Sequence, residues 1–183
     1  IQDGIIRPLR EARTFCEDIY RNIYVGTIEG LFVITHNGVC MIETDYSPQG
    51  HSICSLFKDR DNNIWLGTFY NGVFLCEINN SPFTSIKTND SVKLVNSMVE
   101  DKMGDIWIVT DHYGLWKYRT KDKSCTVIPK TLNRKFKSAY YDKNDDSIWI
   151  GEYNGSLNNY NTTTGKWSEI SLVSGLNEVL PIS

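Results

Sequence analysis

The sequence predicts an all-β fold, a β-propeller made of four-stranded antiparallel blades. A short apolar strand recurs four times with an aromatic residue at its centre, at Tyr24, Trp65, Trp107 and Trp149. The successive spacings are 41, 42 and 42 residues. A glycine follows each strand, at Gly30, Gly72, Gly114 and Gly155. An aspartate precedes each strand, at Asp18, Asp59, Asp101 and Asp142. Each set of equivalent positions, here called a column, recurs with the same period. Three such columns indicate a repeat, and this period is typical of propeller blades.

One repeat unit shows why strands, and not helices, are predicted. Residues 51–88 contain four β-prone runs, at 51–57, 64–68, 72–78 and 83–88, separated by polar or glycine turns. A lone blade has two faces to bury and needs neighbours on both sides. We therefore expect the apolar second strands to be buried and the central aromatics to pack between blades. The recurring glycine is expected to occupy a turn with positive φ.

The period divides the whole chain into a single propeller segment. We expect the end of a preceding blade at 1–11, and the start of a following blade at 175–183. Four blades are expected between them, at 12–50, 51–93, 94–134 and 135–174. Both ends then cut through blades, so the chain is expected to be a fragment of a larger propeller. Open blade faces would make it associate with itself, and a homo-oligomer is predicted.

Composition excludes several classes of protein. The chain has 183 residues, 40% of them hydrophobic, which is too apolar for a disordered protein. No apolar run approaches the roughly 18 residues of a membrane helix. The net charge is −3 and basic residues form no stripe, so neither nucleic acid nor membrane contact is predicted. The five cysteines show no C-x-x-C spacing and are interpreted as small hydrophobic residues.

The residues that carry chemistry are sparse. Hydrolase, zinc-protease and phosphate-loop motifs are missing from the sequence, and it has only three histidines. We therefore predict no catalytic residue, no metal and no cofactor. The aspartate-rich turns at 59–63 and 142–146 could in principle bind calcium. They are short and lack a distal acidic ligand, and aspartate is an ordinary turn residue, so the turn interpretation is favoured.

The loops between second and third strands are the predicted ligand site. Equivalent loops of all blades ring one end of a propeller, and binding residues concentrate on loops held by rigid scaffolds. These loops place aromatic rings beside amides, a carboxylate and an imidazole, a combination that suits sugars. The predicted ligand-binding residues are Tyr70, Asn71, Asp111, His112, Tyr113, Tyr153 and Asn154. The alternative is that they serve only turns and blade packing.

The repeat resembles a known family. The run Asp59-x-Asp-Asn-Asn-Ile-Trp-Leu-Gly-Thr-x3-Gly-Val-Phe74 is similar to the two-component regulator propeller repeat, and so is the run at 101–116. The family pattern reads Asp-x-x-Gly-Asn-Ile-Trp-x-Gly-Thr-x-x-Gly-Leu. The copy at 142–157 has one inserted residue and Glu152 in place of threonine. The copy at 18–31 diverges most, with Tyr24 in place of tryptophan.

This resemblance implies a functional context. Such repeats typically form seven-bladed propellers in the periplasmic part of hybrid two-component histidine kinases of gut Bacteroidetes, where they help to sense glycans. It implies that the chain is part of a periplasmic, ligand-sensing propeller, with an oligosaccharide ligand and neighbouring blades or domains as partners. The segment itself would not be an enzyme. Two alternatives stay open, a structural propeller for protein–protein assembly and a lyase- or lactonase-type propeller enzyme.

Overall fold

The computed structural model describes residues 11–41, 52–77, 80–86 and 92–170, without the side chains of 80–84. This part of the chain forms four antiparallel sheets of four strands each. The predicted segment at 175–183 lies outside the described residues, as does nearly all of that at 1–11. Between residues 11 and 170, the described stretches hold no helix with the length and hydropathy of a membrane span.

Each sheet is a meander whose strands pair in sequence order, and we call the four sheets blades I to IV. Blade I contains β1 (Thr14–Glu17), β2 (Ile23–Gly26), β3 (Leu31–Thr35) and β4 (Gly38–Met41). Blade II contains β5 (Ile53–Lys58), β6 (Ile64–Thr68), β7 (Val73–Glu77) and β8 (Asn80–Ser85). Blade III contains β9 (Val95–Glu100), β10 (Ile106–Thr110), β11 (Leu115–Arg119) and β12 (Ser124–Val127). Blade IV contains β13 (Phe136–Asp142), β14 (Ser147–Glu152), β15 (Leu157–Asn161) and β16 (Trp167–Ile170).

The blades stack through their first strands. The strands β1, β5, β9 and β13 lie side by side in that order, which is the arrangement of inner strands in a propeller. All five residues of β6 and all five of β10 are buried. The predicted all-β propeller fold is confirmed, and so is the burial of the second strands of blades II and III, whereas β2 begins at the exposed Ile23 and β14 is partly buried.

Two local details differ from the prediction. The last strand of blade II begins at Asn80 and not at residue 83, because Asn80 already pairs with Glu77 across the β7–β8 hairpin. Pro82 is compatible with this strand because an edge strand can spare one N–H. A 3-10 turn at Pro129–Thr131, which the sequence reading did not include, joins blade III to blade IV.

The aspartate column caps the turn between first and second strands. In blade III, Asp101 Oδ1 accepts hydrogen bonds from the backbone N–H groups of Met103 at 2.8 Å and Asp105 at 3.1 Å. Its Oδ2 accepts the indole N–H of Trp107 at 2.8 Å. Asp59 makes the equivalent bond to Trp65 at 2.7 Å. These carboxylates therefore hold both the turn and the aromatic of the same blade.

The four glycines of the repeat occupy turns with positive φ, as predicted. Their φ values are 136° at Gly30, 75° at Gly72, 84° at Gly114 and 87° at Gly155. In three blades a threonine hydroxyl closes this turn by donating to the glycine carbonyl, as Thr110 does to Gly114 at 2.6 Å. Blades I to III therefore close the turn after the second strand with the same threonine–glycine hydrogen bond.

The core consists of layers between blades. Trp65 of blade II is 1% exposed and meets Tyr118 of blade III edge to face, with ring centroids 5.3 Å apart. Trp107 of blade III is equally buried and lies 5.4 Å from Tyr160 of blade IV. Tyr24 packs into the apolar layer between blades I and II, and burial there, with Asp18 nearby, raises its pKa to about 12. The prediction that these aromatics pack between blades is confirmed for Tyr24, Trp65 and Trp107.

The cysteines are mostly part of these layers. Burial raises the pKa of Cys16, Cys54 and Cys76, and raises that of Cys125 to about 11. These thiols are therefore protonated at neutral pH and act as small apolar side chains. Cys40 is exposed.

An ion pair joins blades III and IV at the end opposite to the glycine turns. Lys102 Nζ lies 2.7 Å from Asp146 Oδ2, and the hydroxyl of Tyr141 donates to Asp146 Oδ1 at 2.6 Å. Burial alone would raise the pKa of Asp146. Hydrogen bonds from Lys102, Thr163 and Tyr141 outweigh it and hold this pKa well below the ordinary 3.8.

This ion pair predicts a specific loss of stability in acid. A lowered pKa in the folded state means that the stabilisation is complete above about pH 4 and is lost as the pH falls towards the folded-state pKa. We expect the urea midpoint to drop between pH 5 and pH 2.5. In Asp146→Asn the midpoint should be lower at neutral pH, and the further drop in acid should be smaller. Equal drops in the two proteins would show that Asp146 does not carry this pH dependence.

Candidate functional site

The loops after the second strands are placed together by backbone hydrogen bonds. Each contacts the residues that lead into a first strand: Leu94 N–H donates to the carbonyl of Phe69 at 2.8 Å, and Tyr153 N–H to that of Lys135 at 3.1 Å. The N–H of His112 donates to the carbonyl of Arg134 at 3.1 Å, and the carbonyl of His112 accepts the N–H of Asn133 at 3.0 Å. His112 is thus bonded twice to the chain that enters blade IV. The loops of the described blades therefore lie at one end of the propeller, as predicted.

A cleft opens at this end between the chain that enters blade IV and the turn that joins β14 to β15. Its volume is about 370 Å³, and it is lined by Asn133, Arg134, Lys135, Glu152 and Asn154. Four of these five come from two segments, the entry to blade IV at 133–135 and the end of β14 at Glu152. The cleft is therefore framed by the connection that enters blade IV, by the end of β14 and by the turn that follows it.

Arg134 is the fixed centre of the cleft. Its Nε forms an ion pair with Glu152, and its Nη2 lies 3.0 Å from Asn158 Oδ1 and 3.3 Å from Glu169 Oε2. Its guanidinium also stands 5.0 Å from the ring centroid of Trp167. The carboxylates of Glu152 and Glu169 pair with its charge, and the ring of Trp167 lies against its guanidinium. The orientation of Arg134 is therefore set by partners on β14, β15 and β16.

Three buried polar atoms have no hydrogen-bond partner among the described residues, and two of them belong to residues that contact Arg134. They are Nδ2 of Asn158, Nε1 of Trp167 and Oδ1 of Asp111. Asn158 and Trp167 contact Arg134 directly, whereas Asp111 pairs through its backbone with Lys135. The Nδ1 of His112 lies 3.7 Å from Asp111 Oδ1, beyond hydrogen-bond distance. Buried polar groups are nearly always satisfied, so these donors and this acceptor suit water or ligand.

The structure brings together some of the predicted site residues. Asn154 lines the cleft, while Asp111, His112 and Tyr153 adjoin it through backbone contacts with residues 133–135. His112 has φ of 72°, a left-handed conformation that is uncommon for a residue with a side chain. Seven other described residues, among them the turn residues Asn62 and Lys123, share this conformation, so it is a property of turns in this chain.

The other predicted residues are less central. Tyr70 is 69% exposed and stacks edge to face on Phe69, on the loop of blade II. Asn71 is on the same loop, and its backbone N–H bonds to Thr68. Neither is among the residues that line the cleft. Tyr113 is half-buried, and its carbonyl accepts the indole N–H of Trp116 at 2.8 Å, which is a turn contact.

The sequence reading missed Asn133, Arg134, Lys135 and Glu152. One signal was available, because Glu152 occupies the column in which Thr27, Thr68 and Thr110 close their glycine turns. An acidic side chain there cannot donate such a bond, and it pairs with Arg134 instead. The replacement of threonine by Glu152 therefore distinguishes blade IV, where the cleft lies, from the other three blades.

The arrangement is suited to binding polar ligands. Amide groups of Asn133 and Asn154 and the ammonium of Lys135 offer hydrogen-bond partners at the cleft, and Tyr153 adds a half-exposed ring, with 55% of its surface accessible. No group of three or more His, Cys, Asp or Glu side chains suited to a metal occurs within the described stretches.

Comparisons with known proteins agree with the repeat. The family model of the two component regulator propeller matches residues 47–70. No curated protein sequence matches the chain.

Solved structures share the fold. One is the extracellular domain of a Bacteroides thetaiotaomicron protein assigned to a one component system, BT4673. It is 23% identical, with a TM-score of 0.78 and coverage of 98% of this chain and 25% of that one. The extracellular domain assigned to the hybrid two component system BT3049 of the same organism is 18% identical. Its TM-score is 0.74, with coverage of 92% and 24%.

Propeller enzymes are similar as well. Virginiamycin B lyase from Staphylococcus aureus is 13% identical, with a TM-score of 0.70 and coverage of 90% of this chain and 57% of the lyase. The chain thus spans about a quarter of the two sensor domains and less than three fifths of the lyase. At these identities the likeness is one of fold, and the coverage agrees with a segment of a larger propeller. The chain is a β-propeller segment, and its residues 47–70 match the two component regulator propeller family.

Proposed function

We propose that this chain is part of the extracytoplasmic, periplasmic ligand-sensing propeller of a two-component sensor histidine kinase. The family of the repeat supports this context, as does the fold shared with extracellular domains of two-component systems. In this proposal the segment binds ligand and carries out no reaction. The signal would pass on as a shift in population between arrangements of the receptor, biased by the bound ligand.

We further propose that the ligand is an oligosaccharide and that it occupies the cleft at the entry to blade IV. The observation that carries this is the cleft beside Arg134, which is lined by the polar side chains of Asn133, Lys135 and Asn154 and adjoins the exposed ring of Tyr153. A sugar ring would stack on Tyr153, and its hydroxyls would bond to Asn154, Lys135 and Asp111. Small-molecule sites combine apolar surface with a few placed polar groups in this way.

The test is calorimetric titration of the chain with a panel of plant and host oligosaccharides. For a sugar that binds, Lys135→Ala should weaken the affinity about tenfold, because a hydrogen bond to a charged group is lost. Asn154→Ala should weaken it by a smaller factor. The control is Lys121→Ala, which removes an exposed lysine from the β11–β12 turn at the opposite end. Unchanged affinity in both cleft variants would place the sugar elsewhere.

The same experiment separates the alternatives. Binding of no oligosaccharide in the panel would contradict the proposal and favour a structural propeller that only contacts other proteins. The lyase-type alternative rests on likeness of fold at 13% identity. A divalent metal that remains with the purified chain, measured by mass spectrometry of the elements, would favour that enzyme.

A further inference from the structure

Blade IV departs from the repeat at two positions that the other three blades share. Glu152 replaces the threonine that closes the glycine turn in blades I to III. Asn158 pairs with Ile150 in the register in which the third strands of the other blades carry an aromatic residue, namely Phe32, Phe74 and Trp116. A carboxylate and an amide thus stand where the other blades have a hydroxyl and an aromatic ring. Departures of this kind from a consistent pattern are expected at functional sites.

Arg134 joins the two departures and decides what Glu152 can do. Its Nε forms an ion pair with Glu152, and its Nη2 lies 3.0 Å from Asn158 Oδ1. The Glu152 side chain is 6% exposed, and that of Arg134 is 23% exposed. The carboxylate that lines the cleft is therefore paired and nearly closed to a ligand.

The side chains that the cleft does expose are mainly hydrogen-bond donors. Asn133, Lys135 and Asn154 line the cleft and are exposed. The Oδ1 of Asn154 already accepts the backbone N–H of Ser156 at 2.9 Å, so its NH2 group is the part left for a ligand. Within the part of the chain that the structure describes, the ammonium of Lys135 forms no ion pair. A ligand in the cleft therefore meets one positive charge and amide donors.

Three further charges stand near the cleft without lining it. Glu169 pairs with Arg134 at 3.3 Å. Asp111 pairs with Lys135 through its backbone, but its Oδ1 is buried and makes no ion pair with that ammonium. The ammonium of Lys137 lies 5.8 Å from the ring centroid of Tyr153. The positive charge of Lys135 thus faces the cleft, and a second ammonium lies beside the exposed ring.

We propose that the ligand of this cleft is an acidic oligosaccharide, whose carboxylate or sulfate group is bound by Lys135 and by the amides of Asn133 and Asn154. An ionised acid only accepts hydrogen bonds, and the exposed lining offers mainly donors. A neutral sugar brings hydroxyl donors as well, for which the paired Glu152 is nearly closed. Because acidic sugars are one class of the ligands proposed above, this inference rests on the proposed function.

The test is calorimetric titration of the chain with matched pairs of tetrasaccharides. Oligogalacturonate and oligomannuronate are each compared with their carboxyl-reduced forms, and a sulfated carrageenan tetrasaccharide with its desulfated form. At least one acidic member should bind about tenfold more tightly than its neutral partner, because hydrogen bonds to ionised groups are roughly twice as strong as neutral ones. The pair that shows this preference distinguishes a carboxylate from a sulfate.

Lys135→Gln removes the charge and keeps a hydrogen-bond donor. Its affinity for the acidic sugar should fall about tenfold, and its affinity for the neutral partner by less than about threefold. Lys135→Arg keeps the charge and should retain the preference for the acidic sugar. The control is Lys121→Gln in the β11–β12 turn at the opposite end, which should leave both affinities unchanged. A merely structural role of Lys135 would lower both affinities alike.

Salt provides an independent readout of the same contact. Between about 0.1 and 1 M salt the screening length falls from about 10 to 3 Å, so the affinity for the acidic sugar should drop at least about threefold. The affinity of the neutral partner should change little, and the salt dependence should be weaker in Lys135→Gln.

The outcomes separate this inference from the proposed function. Equal affinity for acidic and neutral partners, binding of neutral sugars alone, or a preference that Lys135→Gln leaves unchanged would overturn the inference while the cleft still binds oligosaccharide. If no oligosaccharide binds, acidic or neutral, the proposed function fails and the inference fails with it.

Discussion

Replacement of Trp107 with alanine is expected to lower the free energy of unfolding by about 3–5 kcal/mol. Trp107 is 1% exposed, lies between blades III and IV, and donates its indole N–H to Asp101 at 2.8 Å. The Lys117 ammonium also stands 4.9 Å from its ring centroid. Alanine would leave a cavity between two blades, and the buried Asp101 Oδ2 would lose the indole donor and keep the Lys117 ammonium at 3.5 Å. Urea unfolding followed by circular dichroism measures the loss.

The matched control is Trp149→Ala. Trp149 occupies the same column but is only partly buried, and no bond joins it to Asp142 among the described residues. At protein concentrations where the chain is monomeric, this substitution should cost about 1 kcal/mol. Equal losses in the free energy of unfolding at the two positions would show that contact with a neighbouring blade is not the source of the stability that Trp107 provides.

The second large effect is expected for Asp101→Ala, which should cost about 3 kcal/mol. Asp101 is 1% exposed and accepts hydrogen bonds from Met103, Asp105 and Trp107, as described above. Its loss would leave buried donors without an acceptor and the nearby Lys117 ammonium with only Asp105 as a partner. Thermal unfolding of the variant at neutral pH, beside the unchanged chain, measures this effect.

Asp142→Ala is the control for this position. Asp142 stands in the same column, but among the described residues its side chain accepts one hydrogen bond, from the backbone N–H of Asn144 at 2.9 Å. We expect a cost below about 1 kcal/mol. Asp101→Ala and Trp107→Ala should combine to less than the sum of their separate effects, because they share one hydrogen bond. Strict additivity would mean that this bond contributes nothing.

The blades could be predicted because their determinants are local. The apolar runs, the aspartate turn and the glycine with positive φ all lie within a dozen residues of one another in each copy. Period and turn chemistry therefore specify strands without knowledge of the neighbouring blade. The start of β8 was missed because the pairing of Glu77 with Asn80 depends on a hairpin register that composition does not fix.

The candidate site was only half predictable. Loop residues such as His112 and Asn154 could be placed at one end of the propeller from topology alone. Arg134 could not, because its importance depends on Glu152, Asn158 and Glu169, which follow it by 18 to 35 residues and meet it only in the folded blade. Which rings are exposed and which serve turns, as with Tyr153 and Tyr113, likewise depends on packing.

By itself the sequence determined the all-β class, the four blades and their period, because repeated local patterns carry that information. The tertiary structure decided at which positions of the repeat the side chains are buried and hydrogen-bonded. Trp65 and Trp107 are buried by a neighbouring blade and Trp149 is only partly buried, although the three stand in nearly identical sequences. The physical reason is that a propeller blade buries its faces only against other blades, so the state of each side chain depends on contacts with residues about 40 positions away.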